Sequence, residues 1–149
     1  MARLEAERDI FNLFARYAAA VDVSDPDGVG LCFASDGRLE LVPSSGAGGA
    51  KDFRGRDAIS AFIGAQPPSP DVFQQHGVGE ARLLLAADGT TASCDSNFVV
   101  FKRSGGGQSS GAPFVHAFGT YADELTLSDA GWLFQSRRAV YDGVRAVAS

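Results

Sequence analysis

Residues 9–22 read Asp9-Ile10-Phe11-Asn12-Leu13-Phe14-Ala15-Arg16-Tyr17-Ala18-Ala19-Ala20-Val21-Asp22. Ile10, Leu13, Phe14, Tyr17 and Val21 recur at the i, i+3, i+4, i+7 spacing of one helix face. The spacing predicts a helix from about residue 4 to about residue 22, with Asp22 near its C-terminal end on the side of Tyr17 and Ala18. Ser24-Asp25-Pro26-Asp27-Gly28 interrupts it. Asp25 before Pro26 suits the cap of a short second helix over residues 26–34.

Working outward, Asp36-Gly37 is a turn signal, and Arg38-Leu39-Glu40-Leu41-Val42 alternates like a strand. Residues 43–50 are a Gly/Ser loop, and a short strand over Lys51 to Arg54 can return beside the first. Gly55 to Ile63 predicts another helix, with Ala58, Ile59, Phe62 and Ile63 on one side; Pro67, Pro68 and Pro70 end it as a rigid linker. Four longer strands are predicted next: Phe73 to Ala87, Thr90 to Arg103, Phe114 to Leu127 and Trp132 to Tyr141. Turns at Asp88-Gly89 and residues 128–131, and a Gly/Ser loop at 104–113, separate them. Helices first and antiparallel strands afterwards predict an α+β fold with the helices on one face of the sheet. If that sheet curves around the long helix, a concave, largely apolar pocket lies between them.

At 149 residues the chain is most simply one domain, spanning 1–149. Such a length buries roughly 70% of the unfolded surface, enough for a core without staples. The hydrophobic fraction of 45% and the 11 Phe agree with that. The net charge of −5 with no basic run argues against a nucleic-acid partner, which needs clustered Lys or Arg. No apolar run reaches membrane-spanning length, so no membrane partner is expected. Met1-Ala2-Arg3-Leu4-Glu5-Ala6-Glu7-Arg8 is charged, with no apolar signal region, and predicts a cytoplasmic location. Cys32 and Cys94 are too few for a disulfide framework and lack metal-ligand spacing, so both read as free buried thiols. No metal and no cofactor are expected, since the chain has no zinc motif, phosphate loop or Ser nucleophile elbow.

The chain has only two histidines, His76 and His116. His76 opens a strand, and a carboxylate that orients a neutral imidazole makes a general base near neutral pH. Asp22 at a helix C-terminus opposes the helix dipole, where a purely structural Asp is disfavoured; the alternative is a solvated turn residue beside Asp25 and Asp27. His116 can face pocket or solvent. Tyr17 shares the buried helix face, so its hydroxyl needs a partner or lines a pocket. Arg137 and Arg138 are strand neighbours pointing to opposite faces, which lets one enter a pocket. Asp95 and Asn97 share a face with Val99 and Phe101 and would form a polar spot if that face is the inner one, with Cys94 on the other.

The marks Ile10, Tyr17 and Val21-Asp22, then Phe53-Arg54-Gly55-Arg56-Asp57-Ala58-Ile59, then His76, then Gly119-Thr120-Tyr121-Ala122-Asp123-Glu124-Leu125 and Asp129-Ala130-Gly131-Trp132 follow a recognisable order. From about residue 8 to residue 142 the chain resembles the SnoaL-like branch of the nuclear-transport-factor-like superfamily. The resemblance implies a cystatin-like α+β cone: a curved antiparallel sheet wrapped around the long N-terminal helix. Within the superfamily the chain looks most like the group of scytalone dehydratase, bile-acid 7α-dehydratase and hexachlorocyclohexane dehydrochlorinase. Those enzymes set an Asp at the end of the first helix against a His on a strand, which implies a hydrogen-bonded pair of Asp22 and His76 inside the largest pocket. The resemblance also implies catalytic roles for Tyr17 and Arg137. It implies substrate-binding positions on the middle strands, for which Asp95, Asn97, Tyr121 and His116 are the candidates. The Ser and Asn of scytalone dehydratase fall near Gly119 and Tyr121, so that enzyme's full site is not reproduced.

The resulting expectation is a cofactor-independent lyase or isomerase acting on a small apolar organic molecule, dehydratase-like, with His76 abstracting a proton and Asp22 supporting it. The alternatives are a polyketide-type cyclase, an epoxide hydrolase using Asp22 with Asn97, and a non-catalytic small-molecule-binding domain. The resemblance further implies a homo-oligomer, a dimer or trimer, formed through the convex sheet face.

Overall fold

The computed structural model describes residues 2–66, 72–105 and 111–143. The elements run α1 (Ala2–Asp22), α2 (Pro26–Gly30), β1 (Phe33–Pro43), β2 (Lys51–Arg54), α3 (Arg56–Gly64), β3 (Val72–Leu85), β4 (Thr91–Ser104), β5 (Phe114–Ser128) and β6 (Gly131–Asp142). The predicted linker at Pro67, Pro68 and Pro70 and the centre of the predicted 104–113 loop lie outside the described residues.

Helix α1 buries Ala6, Ile10, Leu13, Phe14, Tyr17 and Ala20, the face its periodicity marks. Three ring contacts lock it to the sheet: Phe14 stacks on Phe134 at 5.6 Å, and Tyr17 meets Phe33 and Phe134 edge-on at 6.0 and 5.6 Å. The helix ends in a Schellman turn. Ser24 takes φ 52°, its N–H donates to the Val21 carbonyl, and the Asp25 N–H donates to the Ala20 carbonyl. This turn holds Asp22 in the last helical turn. The Asp25 carboxylate then accepts from the Gly28 N–H at 3.0 Å and caps α2, with Pro26 at the first helical position.

The second helix stops at Gly30, short of the expected residue 34. Phe33 instead opens β1 and pairs with Phe134, and the Phe134 N–H donates to the Cys32 carbonyl at 2.8 Å. Burying Phe33 between Tyr17 and Phe134 outweighs the local helical tendency, and the partner lies far along the chain.

The six strands form one sheet in the order β2-β1-β6-β5-β4-β3. Every pairing is antiparallel except β1 with β6, which is parallel. The curved sheet carries α1 and α3 on its concave side. Bulges interrupt the register at Val78/Ala81 in β3, at Val100/Phe101 opposite β5, and at Glu124/Leu125 opposite β6. Each bulge bends the sheet and changes which side chains point inward beyond it.

The inner face of β6 holds a buried ion pair. Arg137 Nε and Nη2 donate to the two Asp123 oxygens at 2.8 and 2.7 Å, and neither side chain has any exposed surface. The guanidinium lies 3.8 Å from the Tyr121 ring centre, 4.1 Å from Phe134, 4.5 Å from Tyr17 and 5.2 Å from Phe14. Burial alone would pull its pKa down, but the Asp123 carboxylate overcomes that and holds it firmly cationic.

Candidate active site

The end of α1 meets the start of β3 through one carboxylate. Both Asp22 oxygens accept the backbone N–H of His76 at 3.0 Å, and Asp22 Oδ1 lies 2.5 Å from His76 Nδ1. Gln74, two residues earlier on β3, donates from Nε2 to the Val21 carbonyl at 3.4 Å. Asp22 therefore sits against the helix dipole but is repaid by donors from the neighbouring strand. Its contact with Nδ1 leaves Nε2 as the ring nitrogen free of that carboxylate. The two side chains are only 13% and 15% exposed, so they are screened from bulk water without being sealed off.

His76 lines a cavity of about 260 Å³ between α1, α3 and the concave face of the sheet. Leu39, Leu41, Phe62, Phe98 and Val100 give it apolar walls. Tyr17, Tyr121, His116, Gln74, Lys102 and Tyr141 bring polar groups to it. Burial pushes the phenols of Tyr17 and Tyr121 upward, with Arg137 pulling back on each. Both are therefore neutral hydroxyls at ordinary pH, able to donate a hydrogen bond and unable to serve as bases. His76 also borders an apolar depression lined by Phe11, Phe14 and Val78, but among the described residues no other polar side chain lines that one.

Tyr17, Tyr121, His116 and His76 thus meet at one cavity, with Asp22 behind the His76 ring. Three expectations are corrected. Asp95 and Asn97 are exposed on the outer face of β4, where Asp95 lies 3.5 Å from Arg82, because β4 turns Cys94, Ser96, Phe98 and Val100 inward instead. Asp95 and Asn97 border a larger depression of about 520 Å³ on the outer face, so the cavity beside Asp22 and His76 is not the largest one. Arg137 does not line the cavity; it lies beneath Tyr17 and Tyr121, committed to Asp123.

Sequence reasoning missed Lys102, Gln74 and Tyr141 as lining groups, and left His116 undecided. His116 is aimed inward by the bulge: Val100 pairs with Ala117 but Phe101 pairs with Val115, so His116 is the extra residue. Gly119 is equally constrained. A Cβ there would lie 1.9 Å from the Val140 carbonyl oxygen and 2.9 Å from Tyr141 Cα. Placing a serine at this position, Gly119→Ser, is expected to force the β5–β6 ladder apart and destabilise the fold by about 1–3 kcal/mol, measurable as a lowered urea midpoint.

Among the described residues no cluster of three or more His, Cys, Asp or Glu could hold a metal ion, and no helix is long and apolar enough to cross a membrane.

The family model of the SnoaL-like domain matches residues 2–138. The chain belongs to this family. No curated protein matches its sequence. Among solved structures it is similar to a protein of unknown function from Mycobacterium tuberculosis, at 26% identity and a TM-score of 0.72, covering 94% of this chain and 73% of that one. An NTF2-like protein with a cystatin-like fold from Novosphingobium aromaticivorans aligns at 24% identity and a TM-score of 0.70, over 92% and 82% of the two chains. A candidate scytalone dehydratase from the same organism aligns at 18% identity and a TM-score of 0.71, over 99% and 93% of the two chains. At these last two identities the likeness is one of fold: the SnoaL-like chain has the cystatin-like, NTF2-like architecture expected from its motifs.

Proposed function

We propose that this SnoaL-like protein is a cofactor-independent lyase or isomerase whose first step is removal of a carbon-bound proton by His76. The observation that carries the reading is the Asp22 carboxylate against His76 Nδ1, with the same imidazole on the wall of a small, mostly apolar cavity. In this reading Nε2 takes a proton from a carbon next to a carbonyl. The C–H electron pair passes into the carbonyl, whose oxygen becomes an enolate. The neutral hydroxyls of Tyr17 and Tyr121, which line the same cavity, then donate to that oxygen, and Asp22 balances the imidazolium. In a dehydration the enolate electrons return to form the C=C bond as the β-hydroxyl leaves, taking the proton from His76 and departing as water. In an isomerisation the same proton returns to a different carbon.

At about 260 Å³ the cavity falls just below the usual range of ligand sites, roughly 300–1,000 Å³, which favours a molecule of one or two rings. The epoxide-hydrolase alternative loses support, because Asn97 is on the outer face and Asp22 is engaged by His76.

The test is isotope exchange in D2O. Small cyclic β-hydroxy ketones and 1,3-dicarbonyl compounds are incubated with enzyme and followed by NMR and mass spectrometry. Deuterium entering the α-carbon, or loss of water, is expected with wild type and not with His76→Ala. Binding without exchange or turnover across the panel would leave a ligand-binding domain.

A further inference from the structure

Lys102 is the only Lys, Arg, Asp or Glu among the described residues lining the cavity. It sits near the end of β4, cross-strand from Gln74, with its side chain on the inner face between the outward Phe101 and Arg103. His76 pairs with Val100, so Lys102 is its diagonal neighbour on the same face, with backbones roughly 7–8 Å apart. Among the described residues no carboxylate lies within ion-pair distance of Lys102, whereas Arg38, Arg82, Arg137 and Arg138 each have one. A half-buried ammonium at an apolar cavity, with no counter-ion among the described residues, is a costly arrangement unless something anionic arrives to meet it.

We propose that Lys102 anchors an anionic oxygen of the substrate, so that the molecule this site takes is a small, mostly apolar organic acid rather than a neutral compound. The inference rests on the reading of this cavity as the ligand site. The anion is a carboxylate, or an enol or phenol ionised when bound. Held by Lys102, such a group fixes the rest of the molecule against the apolar walls with its reacting carbon toward the diagonal neighbour, His76. A charge-assisted contact of this kind discriminates an acid from its uncharged isostere by about 10-fold or more. Burial pulls the Lys102 ammonium below its ordinary range, so the preference for acids should fade on the alkaline side before that of a surface lysine would.

The experiment uses one- and two-ring arene carboxylates, benzoate and 1-naphthoate among them, each paired with its carboxamide, and 4-nitrophenol, whose absorbance reports its ionisation. Binding is measured by calorimetry and by NMR shifts of cavity residues on wild type, Lys102→Met and Lys102→Arg. Wild type should bind an acid at least ~10-fold tighter than its amide, Lys102→Met should lose that preference while still binding the amide, and Lys102→Arg should keep it. A preference limited to the carboxylates identifies the group as a carboxylate; ionisation of bound 4-nitrophenol at a lower pH than in solution, lost in Lys102→Met, identifies an enol or phenol. Equal affinity for acid and amide, or a preference that survives Lys102→Met, would overturn the anchor and leave the cavity reading intact. If no compound in either series shifts His76, Tyr121 or Ala117, the cavity itself is not the ligand site and both readings fall.

Discussion

His76→Ala and Asp22→Asn are each expected to lower kcat by about 10²–10⁴-fold on any substrate that shows α-proton exchange. The two changes act through different atoms. Removing the imidazole removes the base outright. Replacing the carboxylate by an amide keeps the size of the group but removes its charge, and an amide NH2 turned toward Nδ1 would favour the wrong tautomer. Because Asp22 accepts both Nδ1 and the His76 backbone N–H, the amide also loosens the joint between α1 and β3. The losses should therefore not add: the double variant should be about as slow as the worse single one, as for residues acting as a unit. Tyr17→Phe keeps the ring packing on Phe33 and Phe134 and removes one donor, so its effect should be smaller. Cooperative urea transitions for each variant separate lost chemistry from lost folding. Near wild-type exchange in folded His76→Ala would place the base elsewhere.

How far the sequence carries this picture depends on the range of the forces involved. The helical face of Ile10, Leu13, Phe14 and Tyr17 and the ends of β3 to β6 come from periodicity and turn chemistry, which are local. The early end of α2 is not local, since it follows from Phe33 pairing with Phe134. The inner face of β4 is not legible in the sequence because the strand is apolar on both sides. Phe98 and Val100 are buried on one side, while Val99 is half-buried and Phe101 is 43% exposed on the other. With a period of two, one wrong choice moves Asp95, Asn97 and Lys102 together. Lys102 near a strand end reads in sequence as a solvated cation, and only the inward face of β4 makes it a cavity residue. The place of Arg137 was hidden by a single bulge. Counting back from the Ser128↔Gly131 turn pairs Leu125 with Phe134 and would put Ser136 opposite Asp123. The extra residue, Gln135, shifts the register so that Arg137 faces Asp123 instead.

That pairing leads to the largest expected effect on stability. Asp123→Ala should cost about 3–5 kcal/mol, because it strands a guanidinium that cannot give up its proton inside an aromatic cage. Against a typical total of roughly 5–15 kcal/mol this is a large share, so the variant should melt well below wild type. Arg137→Met should cost less. It leaves Asp123, whose carboxyl burial already pushes upward against the pull of Arg137, and that group can escape by taking a proton. The sign of the pH dependence follows. In Arg137→Met the folded pKa of Asp123 lies above its unfolded value, so the folded state binds the proton more tightly. The deficit should be smallest in acid, below the unfolded carboxyl range, and should grow as pH rises through the folded pKa. Asp123→Ala has no such group and should show no matching recovery in acid. A third variant, Asp123→Leu with Arg137→Met, removes both charges and keeps apolar volume, and it should recover much of the loss of either single change. Urea midpoints across pH for the set, with unchanged m-values, provide the measurement. If Asp123→Ala melts with wild type, the guanidinium is solvated or re-paired, and the cage does not hold it as the geometry indicates.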